Sequence, residues 1–220
     1  MKFFNLHTHA ASGEANMAEL INQYPLEFRD DFPMYSIGIH PWKINAETLE
    51  LELEITKDKL NDDNCWAIGE CGLDKRIDTP LDVQLEVFAR QIRLADEHQK
   101  PMVIHCVAAY QELVAIKKQL QVKVPMIVHG FSKSAETAKE LTDNGFYLSF
   151  GKYLLRNPGL SEVLTTVDTS RIFLETDTID EPLQSVYAVA ASALSLSVDG
   201  VKQIVLQNAR TVFGDRPELR

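Results

Sequence analysis

Residues 82–105 read DVQLEVFARQIRLADEHQKPMVIH, and the two ends of that stretch follow different periods. Over residues 82–98, Leu85, Phe88, Ala89, Ile92, Leu94 and Ala95 recur mostly at steps of three and four, the pattern of an amphipathic helix. Pro101-Met102-Val103-Ile104 is instead a short unbroken apolar run, as expected of a strand buried on both faces. His105 stands at the end of that run. A helix that feeds a buried strand, with an ionisable side chain at the strand end, is the repeating unit of parallel α/β proteins.

The unit recurs on both sides. Further apolar runs lie at residues 2–6, 35–39, 65–69, 125–128, 146–150 and 171–174, with a weaker one at 18–24. Helical spacing reappears over 108–120, 134–144, 161–167, 183–196 and 199–213. Ser134 is placed to cap its helix, and Gly145 and Gly214 serve as stops. Seven or eight strands alternating with helices mean parallel strands joined by crossovers. The α/β fold class that fits is a (β/α)8 TIM-type barrel, close to its lower size limit of about 200 residues. An open doubly wound sheet competes, but no G-x-G-x-x-G turn follows any strand. One domain over residues 1–220 is expected.

Five of the six histidines fall at or just beyond a predicted strand end: His7, His9, His40, His105 and His129. His98 alone sits in a charged helix end. Glu70, Glu175 and Asp177 follow the same rule. In a barrel these ends meet on one rim, where active sites are built. His7 and His9 are two apart, so on an extended segment both rings point the same way, and Glu175 and Asp177 repeat that spacing. Any one of these residues alone reads as an ordinary polar strand end or cap. Together, unpaired ionisable groups converging on an apolar rim demand a counter-charge. Imidazoles with carboxylates are a ligand set that Zn, Mn, Fe and Ni accept alike. Four histidines with two carboxylates exceed one tetrahedral ion, whereas two ions roughly 3.5–4 Å apart use the whole set and generate hydroxide near neutral pH.

Composition limits the partners. Lys and Arg number 22 against 32 Asp and Glu, a net charge of −10. With an isoelectric point near 5.1, a protein that coats nucleic acid by bulk charge is excluded. Cys65, Cys71 and Cys106 are too few for a disulfide framework and point to a reducing, cytoplasmic setting. Residues after Met1 lack the pattern of a signal peptide. The longest weakly polar run, 185–198, falls short of the ~18 residues of a membrane span. No membrane and no obligate protein partner is expected.

The ordered motifs resemble the TatD family of metal-dependent nucleases, in the amidohydrolase-type barrel superfamily. They are Leu6-His7-Thr8-His9, Gly38-Ile39-His40-Pro41, Ile68-Gly69-Glu70-Cys71-Gly72-Leu73-Asp74, Pro101-Met102-Val103-Ile104-His105, Val128-His129-Gly130-Phe131-Ser132 and Leu174-Glu175-Thr176-Asp177. Residues 207–213 resemble the family's closing helix. The resemblance implies that His7, His9, Glu70 and Asp177 hold one divalent ion (Mg, Mn, Zn, Fe or Ni), and Glu70, His105 and His129 a second. It implies catalytic roles for Asp177, Glu70 and His40, with Asp177 orienting the attacking water and His40 facing the substrate phosphate. Glu175 supports the site, as does Asp74, and Lys133 and Lys152 are candidate phosphate partners. The implied activity is metal-dependent cleavage of DNA or oligonucleotide phosphodiesters. The chain departs from the family pattern at Asn5, Val107 and Gly130, and only 30 residues (10–39) separate His9 from His40. That short interval implies that the first one or two helices of the barrel are truncated.

Other chemistries share these residues. The same site suits an amide or ester hydrolase, such as a deacylase of aminoacyl-tRNA type, or a non-catalytic metal-binding barrel. A thiol nucleophile at Cys71 or Cys106 fits less well, because a thiolate next to metal binds it or stays protonated and packed, and a glycosidase pair of Glu70 and Glu175 fits less well because histidines crowd the site. Trp42, beside His40, is a candidate for stacking a base.

Overall fold

The computed structural model describes residues 1–219. Eight strands form one sheet in sequential order: β1 (Phe3–Thr8), β2 (Met17–Gln23), β3 (Tyr35–Ile37), β4 (Cys65–Asp74), β5 (Met102–Val107), β6 (Met126–Val128), β7 (Phe146–Phe150) and β8 (Ile172–Leu174). The helices are α1 (Leu49–Lys59), α2 (Leu81–His98), α3 (Tyr110–Leu120), α4 (Ala135–Asp143), α5 (Lys152–Arg156), α6 (Pro158–Thr166), α7 (Leu183–Ala193) and α8 (Val198–Phe213). Among the described residues the chain between β1 and β3 holds, besides β2, a 3-10 turn at Pro25–Glu27 and no α-helix. No single helix is long and apolar enough to cross a membrane. The three cysteines are buried, and no disulfide joins them among the described residues.

Contacts divide the chain into two compact units, residues 21–127 and the segments on either side of them. In the outer unit β7 and β8 run parallel, with Leu148 beside Ile172 and Phe150 beside Leu174. Phe4 of β1 meets Phe173 of β8 at 6.0 Å and Phe213 of α8 at 5.9 Å between ring centres. Tyr187 of α7 is fully buried, and its hydroxyl donates to the Phe4 carbonyl (2.8 Å) while accepting from the Phe4 amide (3.2 Å). One phenol thereby satisfies both main-chain groups of a strand residue that water cannot reach. Ser134 caps α4 by accepting from the Thr137 amide, as its sequence position predicts.

The unit of residues 21–127 is built on β3, β4 and β5, all parallel. Strand β4 shifts register between Ile68 and Cys71, then pairs Gly72 with His105 and Asp74 with Val107. The approach there excludes a side chain. A Cβ on Gly72, whose φ is +142°, would lie 2.0 Å from the His105 carbonyl oxygen. Helix α1 is unannounced in the sequence, since Leu49-Glu50-Leu51-Glu52-Leu53 alternates with the period of a strand. Leu and Glu are both strong helix formers, and Leu49 and Leu53, four apart, pack with Ile39 and Val87. Packing thus overrides the alternation. Strands β4 and β5 run past their predicted ends, which puts Glu70 and His105 inside strands, whereas β3 stops at Ile37 and leaves His40 in the loop.

Tyr187→Phe leaves the Phe4 amide and carbonyl buried without that partner and lowers stability by about 1–3 kcal/mol, read as a fall in denaturation midpoint. Gly72→Ala displaces β5 at His105, and thermal melting shows a larger loss than for Gly13→Ala, where nothing lies within 4 Å.

Candidate metal centre

In the outer unit, His7 and His9 stand at the end of β1, with His129 just past β6 and Asp177 just past β8. The ligand atoms of His7, His129 and Asp177 all lie within 4.8 Å of one another. The His7 and His129 rings are 4.4 Å apart, and the His9 ring lies 5.1 Å from His7. Asp177 Oδ1 is 3.8 Å from His7 Nε2 and 3.5 Å from His9 Nε2. The main chain fixes this cluster. The Asp177 amide donates to the His7 carbonyl (2.9 Å), and the His9 amide donates to the Asp177 carbonyl (3.2 Å). To make both bonds Asp177 takes a φ of +57°, a conformation Asp tolerates better than most residues. Asn5, one turn of the pleat earlier, accepts from the Thr176 amide (3.0 Å) and donates to the Thr176 hydroxyl (2.9 Å).

Burial works against the charge of Asp177, but the nearby His129 and His7 and a 2.7 Å bond from Lys152 Nζ to Oδ2 outweigh it and hold the carboxyl below its ordinary range. Lys152, at the start of α5, is desolvated too, yet the same pair raises its pKa and keeps it cationic. Asp177 therefore stands as a carboxylate whose second oxygen is pinned and whose first faces the imidazoles. Glu175 is fully buried; its Oε1 accepts from the Gly130 amide (2.7 Å) and lies 3.3 Å from His129 Nδ1. That contact suits an Nδ1–H tautomer and turns Nε2 of His129 into the lone-pair donor. Gly130 makes it with φ +58°, a conformation that favours glycine at this departure from the family pattern. Glu175 Oε2 is buried with no hydrogen-bond partner among the described residues. A buried carboxylate left so needs a cation nearby, and Lys152, whose cationic form Glu175 favours, is one. The donor set fits a divalent metal.

In the inner unit, His40, Glu70 and His105 likewise offer ligand atoms within 4.8 Å of one another. Glu70 Oε1 lies 3.0 Å from His105 Nδ1 and 3.1 Å from His40 Nε2. The chemistry separates the two histidines. His40 Nδ1 accepts the Trp42 amide (3.1 Å), which in a neutral imidazole leaves the proton on Nε2. His40 is therefore a hydrogen-bond donor toward its site, whereas His105 retains ligand character. Asp74 accepts from the Trp42 indole (2.8 Å) and lies 3.3 Å from His105 Nε2. Burial opposes its charge, but those bonds and the Arg76 amide keep its pKa below the usual carboxylate range. Cys71 is fully buried, and burial, reinforced by Glu70, pushes its thiol pKa upward, which is wrong for a nucleophile. Lys133 is half-buried in the loop before α4, and His98 closes α2.

Three buried amides that the sequence analysis did not single out support this cluster. Gln91 Oε1 accepts from the Ile39 amide (2.8 Å) and its Nε2 donates to the Ile39 carbonyl (3.1 Å), clamping the residue before His40. Gln84 does the same to Asp74, at 2.8 and 2.9 Å. Asn22 accepts from the Glu70 amide at 2.7 Å. A buried Gln on an amphipathic helix face, where an apolar residue belongs, is the one clue the sequence offers.

Parallel strands in sequential order, with imidazoles and carboxylates at their ends, define the class: an α/β barrel with metal-type ligand clusters. The crystal structure of YjjV, a TatD homolog from Escherichia coli K12, superposes with a TM-score of 0.85 at 21% identity, covering 97% of this chain and 98% of that one. That likeness shows the fold, the (β/α)8 barrel of such proteins. The family model "TatD related DNase" matches residues 2–214, and the chain belongs to that family. An uncharacterized metal-dependent hydrolase of Bacillus subtilis, YabD, is 37% identical over 166 residues, 72% of this chain and 61% of that protein. The 3'-5' ssDNA/RNA exonuclease TatD of Citrobacter koseri is 30% identical over 151 residues, 64% of this chain and 55% of that protein. The matches thus span less than two thirds of these two relatives.

Glu175→Gln weakens metal binding about 10- to 100-fold, read by titration with Mn or Zn, because His129 loses its orienting anion. In metal-free protein the stability that Asp177 contributes is present above its ordinary pKa of 3.8 and disappears as acid carries the pH through its lower folded value. Asp177→Asn flattens that part of the acid denaturation curve.

Proposed function

We propose that the chain is a metal-dependent hydrolase of phosphodiester bonds, of deoxyribonuclease type, acting on DNA or oligonucleotides. The observation that carries the reading is the Asp177 cluster: a carboxylate kept ionised, gripped on one oxygen by Lys152 and facing three imidazoles with the other. His7, His9, His129 and Asp177 would hold one divalent ion, and Glu70 and His105 a second, which moves His129 to the first ion from the second, where the family resemblance puts it. Bound there, such ions polarise the phosphoryl oxygens and lower the pKa of water toward neutrality. The protein's own groups do the rest. Asp177 Oδ1, ionised and fixed in place, orients the attacking water and takes its proton. His40 shares its Nε2–H between Glu70 Oε1 and a non-bridging phosphate oxygen as a hydrogen-bond donor, a role that its tautomer supports. Glu175 and Asp74 hold His129 and His105 in place. Lys152 and Lys133 add positive charge in a chain of net charge −10.

A second reading draws on one further observation. A cavity of about 420 Å³ opens beside His9 and Asp177, and its lining includes Glu14, Glu19, Asp180 and Glu181. Such a wall repels a polyanion and suits an ammonium group, as on an aminoacyl ester or amide.

Chelator abolishes cleavage of oligonucleotides, and Mg or Mn restores it. Asp177→Asn lowers kcat by about 100-fold or more. His105→Ala loses one metal equivalent, whereas His40→Ala slows turnover and keeps the metal content unchanged, measured by elemental analysis. Hydrolysis of aminoacyl esters with no release of nucleotides from DNA would replace the first reading by the second.

A further inference from the structure

Trp42 is 65% exposed, the most exposed of the chain's large apolar side chains, yet it is not loose. Its indole nitrogen donates to Asp74 Oδ2 at 2.8 Å, and Asp74 is only 2% exposed. Its main-chain amide donates to His40 Nδ1 at 3.1 Å. The indole meets the His40 ring at 5.1 Å with a crossing angle of 89°, and the His105 ring at 5.8 Å and 75°. Both contacts are edge-on, so neither imidazole lies flat against the indole. An aromatic ring left this exposed forgoes much of the stabilisation that burial would bring, and fixing it at both ends adds lost rotamer freedom. A ring held still beside the phosphate-facing His40 is pre-organised to receive a flat partner.

We infer that Trp42 is a stacking platform for a nucleobase adjoining the phosphate at His40. The inference rests on the nuclease reading and deepens it by naming the group that recognises the base. The face of an indole takes any base, and the larger ring system of a purine covers more of it. A base can lie on that face only when freed from its neighbour, because stacking between bases and stacking on Trp42 use the same surface. The hydrogen bond to Asp74 also ties the platform to His105, so base and metal ligand share one anchor.

Binding of 2′-deoxyadenosine 5′-monophosphate in Mg is measured calorimetrically for the wild type, Trp42→Phe and Trp42→Leu. The Leu variant weakens binding about 5- to 150-fold, and the Phe variant, which keeps a ring but loses the Asp74 bond, retains most of the affinity. Emission from Trp66, which is 2% exposed, reports that the variants remain folded. On an oligonucleotide with an abasic residue at the cleaved end, where no base is there to stack, Trp42→Leu and Trp42→Phe, which both lose the Asp74 bond, act at equal rates. The inference is overturned if Trp42→Leu binds the nucleotide like the wild type. It is equally overturned if the Phe variant falls as far as the Leu variant, which would assign Trp42 to positioning Asp74. Failure of the nuclease reading shows separately, as no cleavage of any oligonucleotide by the wild type.

Discussion

The ligand cluster of the outer unit depends on two main-chain hydrogen bonds, from the Asp177 amide to the His7 carbonyl and from the His9 amide to the Asp177 carbonyl. They interleave one residue from past the last strand between two ligands of the first. Because these bonds are made by backbone, the side chains of all three residues stay available for chemistry. The left-handed φ of Asp177 is the local strain this arrangement carries. Glu175, two residues earlier, then falls where it reaches His129, and Lys152 falls where it reaches the outer oxygen of Asp177. One stitched residue thus sets the charge state of the cluster.

Around both clusters, neutral amides help to hold the main chain. Asn5, Asn22, Gln84 and Gln91 each bond the main chain of a site residue or of its immediate neighbour. A charged residue in those positions would shift the very pKa values that the site needs. An amide offers a donor and an acceptor at once and leaves the field unchanged. Asn5 uses both ends of its amide in this way, accepting from the Thr176 amide and donating to the Thr176 hydroxyl.

Legibility in the sequence tracked the range of the forces involved. The strands and most helices were readable because burial on both faces writes unbroken apolar runs, and one-sided burial writes steps of three and four. Helix α1 was not, because its Leu-Glu alternation carries the wrong period and only packing against Ile39 and Val87 decides the matter. The five-residue α5 is too short to show any period. At the site, the ligand candidates announced themselves by type and by position at strand ends. What stayed hidden was orientation. Nothing in the string shows that His40 accepts from the Trp42 amide and so donates from Nε2, or that Lys152 pairs with Asp177. Those follow from rotamers and loop paths that no short motif encodes.

The two glutamine clamps on α2 have a consequence for how this helix can vary. Gln84 and Gln91 are seven residues apart, close to two full turns or about 10.5 Å of rise, and each grips the main chain of a different strand end. The helix therefore acts as a ruler between Asp74 and Ile39. Its solvent side is free to drift in sequence, but a single inserted or deleted residue between the clamps would rotate one glutamine by about 100° off its target. Length in this segment is constrained even where identity is not.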